Sequence, residues 1–239
     1  MNISSSDSPH FPSYRAHPWH GVDPLIHHPS QHPCYVRVYV EMTPQSDVKL
    51  ELDKDTGLLT VDRPQKYTNM LPCLYGFVPR SYCDHHVAEH TRKALYESGH
   101  NKAADGCVGD GDPLDICVFT DRHFQASDVL VEAKVIGGLR MLDGGKADDK
   151  ILAVLRNDTV YGDMDDIADL PLKCLDKIQH YFLTYKDLPA TAESSSSSPS
   201  VPRKITPRKI TIIHSYNAKE ASTIVSLACK DYQAHYSYK

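Results

Sequence analysis

Between residues 35 and 63, apolar and polar side chains alternate almost position by position. In YVRVYVE, Val36, Val38 and Val40 share one side, while Tyr35, Arg37, Tyr39 and Glu41 share the other. A period of two is that of a strand with one face against a core. VKLEL repeats it, with Leu50 and Leu52 opposed to Lys49 and Glu51, and LLTVDR returns after the turn residues DKDTG. Apolar runs at 114–119 (LDICVF), 129–136 (VLVEAKVI) and 151–155 (ILAVL) predict three further strands.

Towards the C-terminus the period lengthens. In 170–188, Leu172, Leu175, Ile178, Phe182 and Leu183 make one helical stripe, and Pro171 sits in the first turn, where a helix tolerates it. A last helix over 218–235 opens with Asn217 as N-cap and Glu220 as reciprocal capping partner, and its apolar face is Ala221, Ile224, Val225 and Ala228. Many short strands followed by two helices predict an α+β fold around a small barrel. Residues 1–33, rich in Pro, Ser and His without a period, read as an extended N-terminal arm, and 34–239 as a single domain. Two stretches read as insertions in that domain. About 80–108 is polar, with His85, His86, Glu89, His90 and His100; 190–209 is a serine tract followed by PRKITPRK.

Composition narrows the function classes. A chain of 239 residues with 41% hydrophobic content can bury a core. Its 26 Lys and Arg against 31 Asp and Glu give a net charge of −5, which argues against a nucleic-acid-coating protein. No apolar run approaches the ~20 residues needed to cross a bilayer, and the N-terminus lacks the apolar stretch of a secretion signal. Seven cysteines, odd in number and without a CxxC pair, read as free thiols in a reducing compartment, with cytoplasm expected. They fit buried small apolar positions. The arm histidines (His17, His20, His27, His28, His32) show no ligand spacing and read as surface or packing groups, and Trp19 as a packing anchor.

The candidate chemistry lies in VGDGDPLDICV, residues 108–118. Asp110, Asp112 and Asp115 repel one another, Gly111 and Pro113 keep the segment out of a helix, and the run enters an apolar strand. Those carboxylates therefore sit at the rim of a core. DDK at 148–150 repeats the pattern before ILAVL, with Asp143 just upstream. Two acidic corners on neighbouring strand ends of one barrel would share a pocket. Hard oxygen donors without converging Cys or His select Mg²⁺ or Mn²⁺ over zinc. An EF-hand is excluded, since Asp115 and Asp121 stand where its loop needs Gly and Glu. Lys49, Glu51 and Arg63 take polar strand positions, and Tyr185 and Lys186 end the first helix. Singly these are surface groups. Together, cations beside a metal cluster describe a phosphoryl-transfer site.

DGDPLD at 110–115, ELDKDTGLLTVDR at 51–63, PCLYGFVP at 72–79 and YKD at 185–187 resemble the ordered motifs of the soluble family I inorganic pyrophosphatases. HPWHG at 17–21 resembles the opening of eukaryotic and some bacterial members, with the chlamydial-type branch nearest. The resemblance spans roughly 17–236 apart from the two insertions. It implies an OB-like five-stranded β-barrel with flanking α-helices, and Mg²⁺-dependent hydrolysis of pyrophosphate to two orthophosphates by a metal-bridged hydroxide. Two or more Mg²⁺ per site are implied, with Mn²⁺ a substitute, held by Asp110, Asp115, Asp143 and Asp148. Asp112 is implied as general base. Lys49, Arg63, Tyr75, Lys150, Tyr185 and Lys186 would grip pyrophosphate, and Glu41 and Glu51 would orient metal-bound waters. A homodimer or homohexamer is implied, with no nucleic-acid or membrane partner.

Two positions depart from the family pattern. Leu71 stands where many members carry Tyr, and Gly144 where an acid commonly follows Asp143. The first is expected to weaken support for a neighbouring site group and the second to loosen a substrate-borne metal, with activity kept at a greater demand for Mg²⁺. A broader phosphohydrolase is the rival if 80–108 opens the pocket. A pyrophosphate- or cation-binding protein without turnover would require Asp112 or a cationic partner to be missing, and all are present.

Overall fold

The structure, a computed structural model, describes residues 15–26, 33–66, 70–186 and 210–236. The alternation at 35–42 does form a strand, β1 (Tyr35–Met42), with Val36, Val38 and Val40 fully buried. It lies antiparallel to β4 (Leu74–Phe77) on one side and to β7 (Val129–Asp143) on the other. From β4 the sheet passes through β6 (Asp115–Phe119) and β9 (Lys150–Leu155) back to β7. The circuit β1-β4-β6-β9-β7 closes as a five-stranded barrel, the expected architecture. Its one parallel pairing, β6 with β9, matters most for function: Ile116 faces Ile151, so both strands begin at the same rim. The hairpin β2 (Val48–Leu52) and β3 (Leu59–Pro64) forms a separate sheet.

The strand expected at 129–136 runs on to Asp143. Its far half pairs with β10 (Ile210–Asn217) and with β8 (Lys146–Ala147), which pairs in turn with β5 (Val108–Gly109). Gly137 and Gly138 break the apolar period there because Tyr216 crosses over them. A Cβ on Gly138 would lie 2.3 Å from its ring.

The segment 80–108, expected to be a polar insertion, carries two helices, α1 (His85–Glu97) and α2 (Asn101–Asp105). Val87, Ala88, Thr91 and Leu95 bury one face of α1, and its histidines lie on the others. No side chain of its own caps it. The cap comes from α4 (Ala218–Tyr236): the carboxylate of Asp231 accepts the N–H groups of Asp84, His86 and Val87 at 3.0–3.2 Å.

The helix expected at 170–188 is α3 (Leu172–Thr184), but its buried side is Ile178, Tyr181 and Phe182, leaving Leu172 and Leu183 exposed. In α4 the Asn217 carboxamide oxygen accepts the Glu220 N–H at 3.0 Å as expected of an N-cap. The Glu220 carboxylate does not close a capping box; the guanidinium of buried Arg140 draws it away. Within the N-terminal segment, 18–20 form a turn, Trp19 is 1% exposed, and Leu25 bridges to Val36. Every cysteine is free and all but Cys174 are buried. The remaining arm residues with His27, His28 and His32, the tract at 190–209, and Asp187 of YKD lie outside the described residues. Among those described, no helix is long and apolar enough to cross a membrane.

Candidate active site

The parallel pair β6–β9 brings the two acidic corners together. Asp115 opens β6, and Asp148 and Lys150 flank the start of β9. Strand alternation sends Asp148 and Lys150 to the rim and Asp149 to the opposite side. There Arg140 grips Asp149 at 3.0 Å, both side chains being fully buried, and Tyr216 donates its hydroxyl to it at 3.1 Å.

The 110–113 turn is held through its backbone. Gly111, at φ +79°, donates its N–H to the Cys83 carbonyl at 3.0 Å, and Cys83 donates to the Asp112 carbonyl at 2.8 Å. Asp112 donates its N–H to the Asp110 carboxylate at 3.0 Å, and Leu114 donates to the Ser81 hydroxyl at 2.8 Å. With the backbone so engaged, the aspartate side chains turn to the cavity.

The remaining walls come from separate elements. Glu41, buried at the end of β1, accepts the Leu52 N–H at 2.8 Å and so ties the β2–β3 hairpin to the barrel. Lys49, Glu51 and Arg63 project from that hairpin, with Asp62 between the two cations. Tyr75 of β4 packs beside Phe182, ring centres 6.2 Å apart, and Tyr185 and Lys186 follow the end of α3. Asp143 closes the circle at the β7–β8 turn, paired with Lys186. One cleft of about 770 Å³ is lined by every residue singled out in the sequence for metal, substrate, water or proton. Trp19, Lys54, Asp62, Lys66 and Lys146 line it as well.

Electrostatics in this cleft is that of crowded carboxylates. Burial, with Asp148 and Asp112 adding repulsion, lifts Asp110 to about 8. Burial lifts Glu41 to about 8 against the opposing Leu52 hydrogen bond, with Asp115 adding to the rise. Asp148 is lifted to about 6, again by burial, which Lys150 partly offsets. Burial works to lower Lys150, but Asp115 and Asp148 outweigh it and hold the ammonium well above its ordinary value. Tyr75 is driven up by burial and then by Asp115.

Lysines occupy these acids: Lys150 bridges Asp115 and Asp148, Lys186 takes Asp143, and Lys54 takes Asp112. Among the described residues no three His, Cys, Asp or Glu side chains converge as a ready cluster for an ion. The donor set nevertheless fits a hard divalent cation. It consists of oxygen donors alone, burial raises Asp110 to about 8 and Asp148 to about 6, and Asp143 Oδ1 is buried with no hydrogen-bond partner among the described residues.

A family model for inorganic pyrophosphatase matches residues 38–205, which carry most of these walls. The chain belongs to the inorganic pyrophosphatase family. An inorganic pyrophosphatase of Chlamydia muridarum is 49% identical over 216 residues, 90% of this chain and 93% of that one. The inorganic pyrophosphatase structure from Thermus thermophilus superposes with a TM-score of 0.64 at 25% identity, covering 85% of this chain and 94% of that one. A type I inorganic pyrophosphatase structure from Toxoplasma gondii, 22% identical, shares the fold with a TM-score of 0.71 over 92% of this chain and 89% of that one.

Within this pyrophosphatase cleft, the two departures from the family pattern sit differently. Leu71 is buried in the apolar cluster that includes Cys73, Phe119 and Phe182 and does not line the cavity. Gly144 does line it, at φ +60° with open space where a Cβ would be. Of the lining residues not anticipated, Lys54 and Asp62 lie inside ELDKDTGLLTVDR, so their signal was present in the motif. Lys66 and Lys146 had none; Lys66 donates to the Lys186 carbonyl at 2.6 Å.

Proposed function

We propose that this chain hydrolyses inorganic pyrophosphate to two orthophosphates, dependent on Mg²⁺ with Mn²⁺ as a substitute. The observation that carries the proposal is the meeting, in one cleft, of carboxylates from two adjacent strand starts with a ring of Lys, Arg and Tyr from the hairpin, β9 and α3. Pyrophosphate bears several negative charges that repel an oxygen nucleophile, so charge neutralisation is the main lever on rate. Asp110, Asp115, Asp143 and Asp148 would hold the ions, with Glu41 and Glu51 orienting waters around them. Bound Mg²⁺ would neutralise phosphoryl oxygens and bring the attacking water's pKa towards neutrality. Lys49, Arg63, Tyr75, Lys150, Tyr185 and Lys186 would fix the substrate oxygens. Asp112, at the mouth and about half exposed, would take the water's proton as general base. Free thiols support a reducing, cytoplasmic setting, and a homo-oligomer follows the resemblance.

The broader phosphohydrolase depended on 80–108 opening the cavity, and no residue of that segment lines it. Phosphate release should therefore be far faster from pyrophosphate than from ATP when Mg²⁺ is titrated. Failure on pyrophosphate at millimolar Mg²⁺ would remove the proposal, and equal rates on both would favour the broader activity.

Metal binding should depend on pH in a stated direction. Asp110 is raised to about 8 and Asp148 to about 6 without metal, so below those values they hold protons an ion must displace. Mg²⁺ affinity should rise roughly tenfold or more from pH 6 to pH 9, with proton release. Carboxyl groups raised on folding favour the folded state below their unfolded pKa, and that contribution is lost as pH rises through about 8. The metal-free protein should thus weaken over the range in which it gains affinity for Mg²⁺. Calorimetry in buffers of different ionisation heat measures the release; a pH-independent Kd would contradict the assignment.

A further inference from the structure

Lys54 has no part in the phosphoryl-transfer site as described, yet its ammonium reaches across the mouth of the cleft. It donates to Asp112 Oδ1 and lies 3.4 Å from the Gly111 carbonyl. Its support comes from the other end of the chain. The indole of Trp19 lies beneath the ammonium, 5.8 Å from nitrogen to ring centre, and donates Nε1–H to the Ser81 carbonyl at 2.8 Å. The Trp19 carbonyl accepts the Arg80 N–H at 2.8 Å.

His17 holds the turn that carries Lys54. Its Nδ1 accepts the Trp19 N–H at 3.2 Å, and its Nε2 lies 3.2 Å from the Lys54 carbonyl. Its ring lies against Gly57, where a Cβ would come within 2.8 Å, so the turn at φ +69° fits the imidazole closely. Ser81 supports both sides of the contact. Its carbonyl anchors Trp19, and its hydroxyl accepts the Leu114 N–H at the base of the aspartate turn.

We propose that Lys54, seated on Trp19 and aimed by His17, is a positioning residue for Asp112, holding Oδ1 so that Oδ2 faces the reacting water. The proposal rests on the reading of Asp112 as general base. An ion pair with side chains 43% and 48% exposed adds little to stability, so its use lies in orientation. A carboxylate already turned to the water needs no reorganisation when the proton moves. In that step Oδ2 takes one proton as the water oxygen bonds to phosphorus. The bridging P–O bond breaks, and its electron pair leaves with the departing phosphate. Lys54 neither gains nor loses a proton.

Lys54→Met should lower kcat on pyrophosphate by about 10–100-fold with KM within about threefold, and Lys54→Arg should recover most of the loss. The side chain is substantially exposed, so folding is not at issue, and far-UV circular dichroism will show this. A raised KM at unchanged kcat would make Lys54 a substrate-binding cation and overturn the proposal, as would wild-type kinetics. Trp19 is the only tryptophan, so its emission reports on the seat directly. In the metal-free protein both Lys54→Met and Asp112→Asn should shift it; no shift in either overturns the seating. In the Asp112→Asn background, Lys54→Met should cost nothing further in kcat, and independent losses would overturn the coupling. If Asp112→Asn keeps the wild-type kcat, the base reading falls and this proposal with it. If Asp112→Asn is slow while Lys54→Met is not, this proposal falls alone.

Discussion

Asp112→Asn should lower kcat on pyrophosphate by about 10²–10⁴-fold, the range over which a positioned general base contributes, with Mg²⁺ binding retained. The expectation follows from the different settings of the aspartates in one turn. Asp110 is half-buried and raised to about 8, and Asp115 lies against the buried Lys150. Both are enclosed by other charges, as an ion site requires. Asp112 stands at the mouth, and its ionic partner among the described residues is the half-exposed Lys54. Asparagine keeps its shape and leaves the backbone bonds of the turn untouched, including the donation from Cys83 to the Asp112 carbonyl. Stability should change by no more than the ~1 kcal/mol of an exposed ion pair. Mg²⁺-titrated kinetics beside Mg²⁺ calorimetry separates the two roles. A variant that turns over within threefold of wild type contradicts the base assignment. One that loses Mg²⁺ affinity makes Asp112 a ligand instead.

The clustering of the three aspartates at one rim was legible in DGDPLD, and so was the barrel. β1, β2 and β3 were readable because apolar and polar side chains alternate along each, although Tyr39 and Glu41 on the polar side of β1 are buried as well. β6 and β9 were readable as apolar runs too short for helices. What escaped depends on partners distant in sequence. The far half of β7 contains Gly137 and Gly138, which look like a break until Tyr216 is seen packed over them. α1 looked like a polar insertion because of its histidines and charges; Asp84 stands at its N-cap without capping it, and Asp231, on another helix, does so instead. Glu220 fitted a capping box, but buried Arg140 competes for its carboxylate and wins. In the cleft, Lys54 and Asp62 were missed although they lie inside a motif, and Trp19, read only as a packing anchor, reaches the cleft because the N-terminal segment packs beneath the hairpin turn. Period and motif report local constraints; they do not report which distant group completes a cap or a wall.

Lys150→Met should be the most destabilising of the cleft substitutions in the metal-free protein, by about 3–5 kcal/mol near pH 8. The ammonium is 2% exposed, sits 5.6 Å from the Phe182 ring centre, and joins Asp115 to Asp148. Methionine fills much of the same volume, so the loss is electrostatic: two carboxylates remain in a buried site beside Asp110 with nothing to separate them. The cost should depend on pH. Asp148 is already raised to about 6 by burial with Lys150 opposing that rise, so removing the lysine drives it higher. Below that value Asp148 is protonated and tolerates its neighbours; above it Asp148 ionises without its lysine, and the destabilisation grows. Urea denaturation at pH 5.5 and pH 8 should therefore give a much smaller difference from wild type at the lower pH. Mg²⁺ supplies the missing positive charge, so it should raise the variant's Tm by more than it raises that of wild type. Activity should stay low even when stability is restored, because the lysine proposed to hold substrate oxygens has gone. A pH-independent loss that Mg²⁺ leaves unchanged would mean that Lys150 acts through packing, and that the acids around it are not metal ligands.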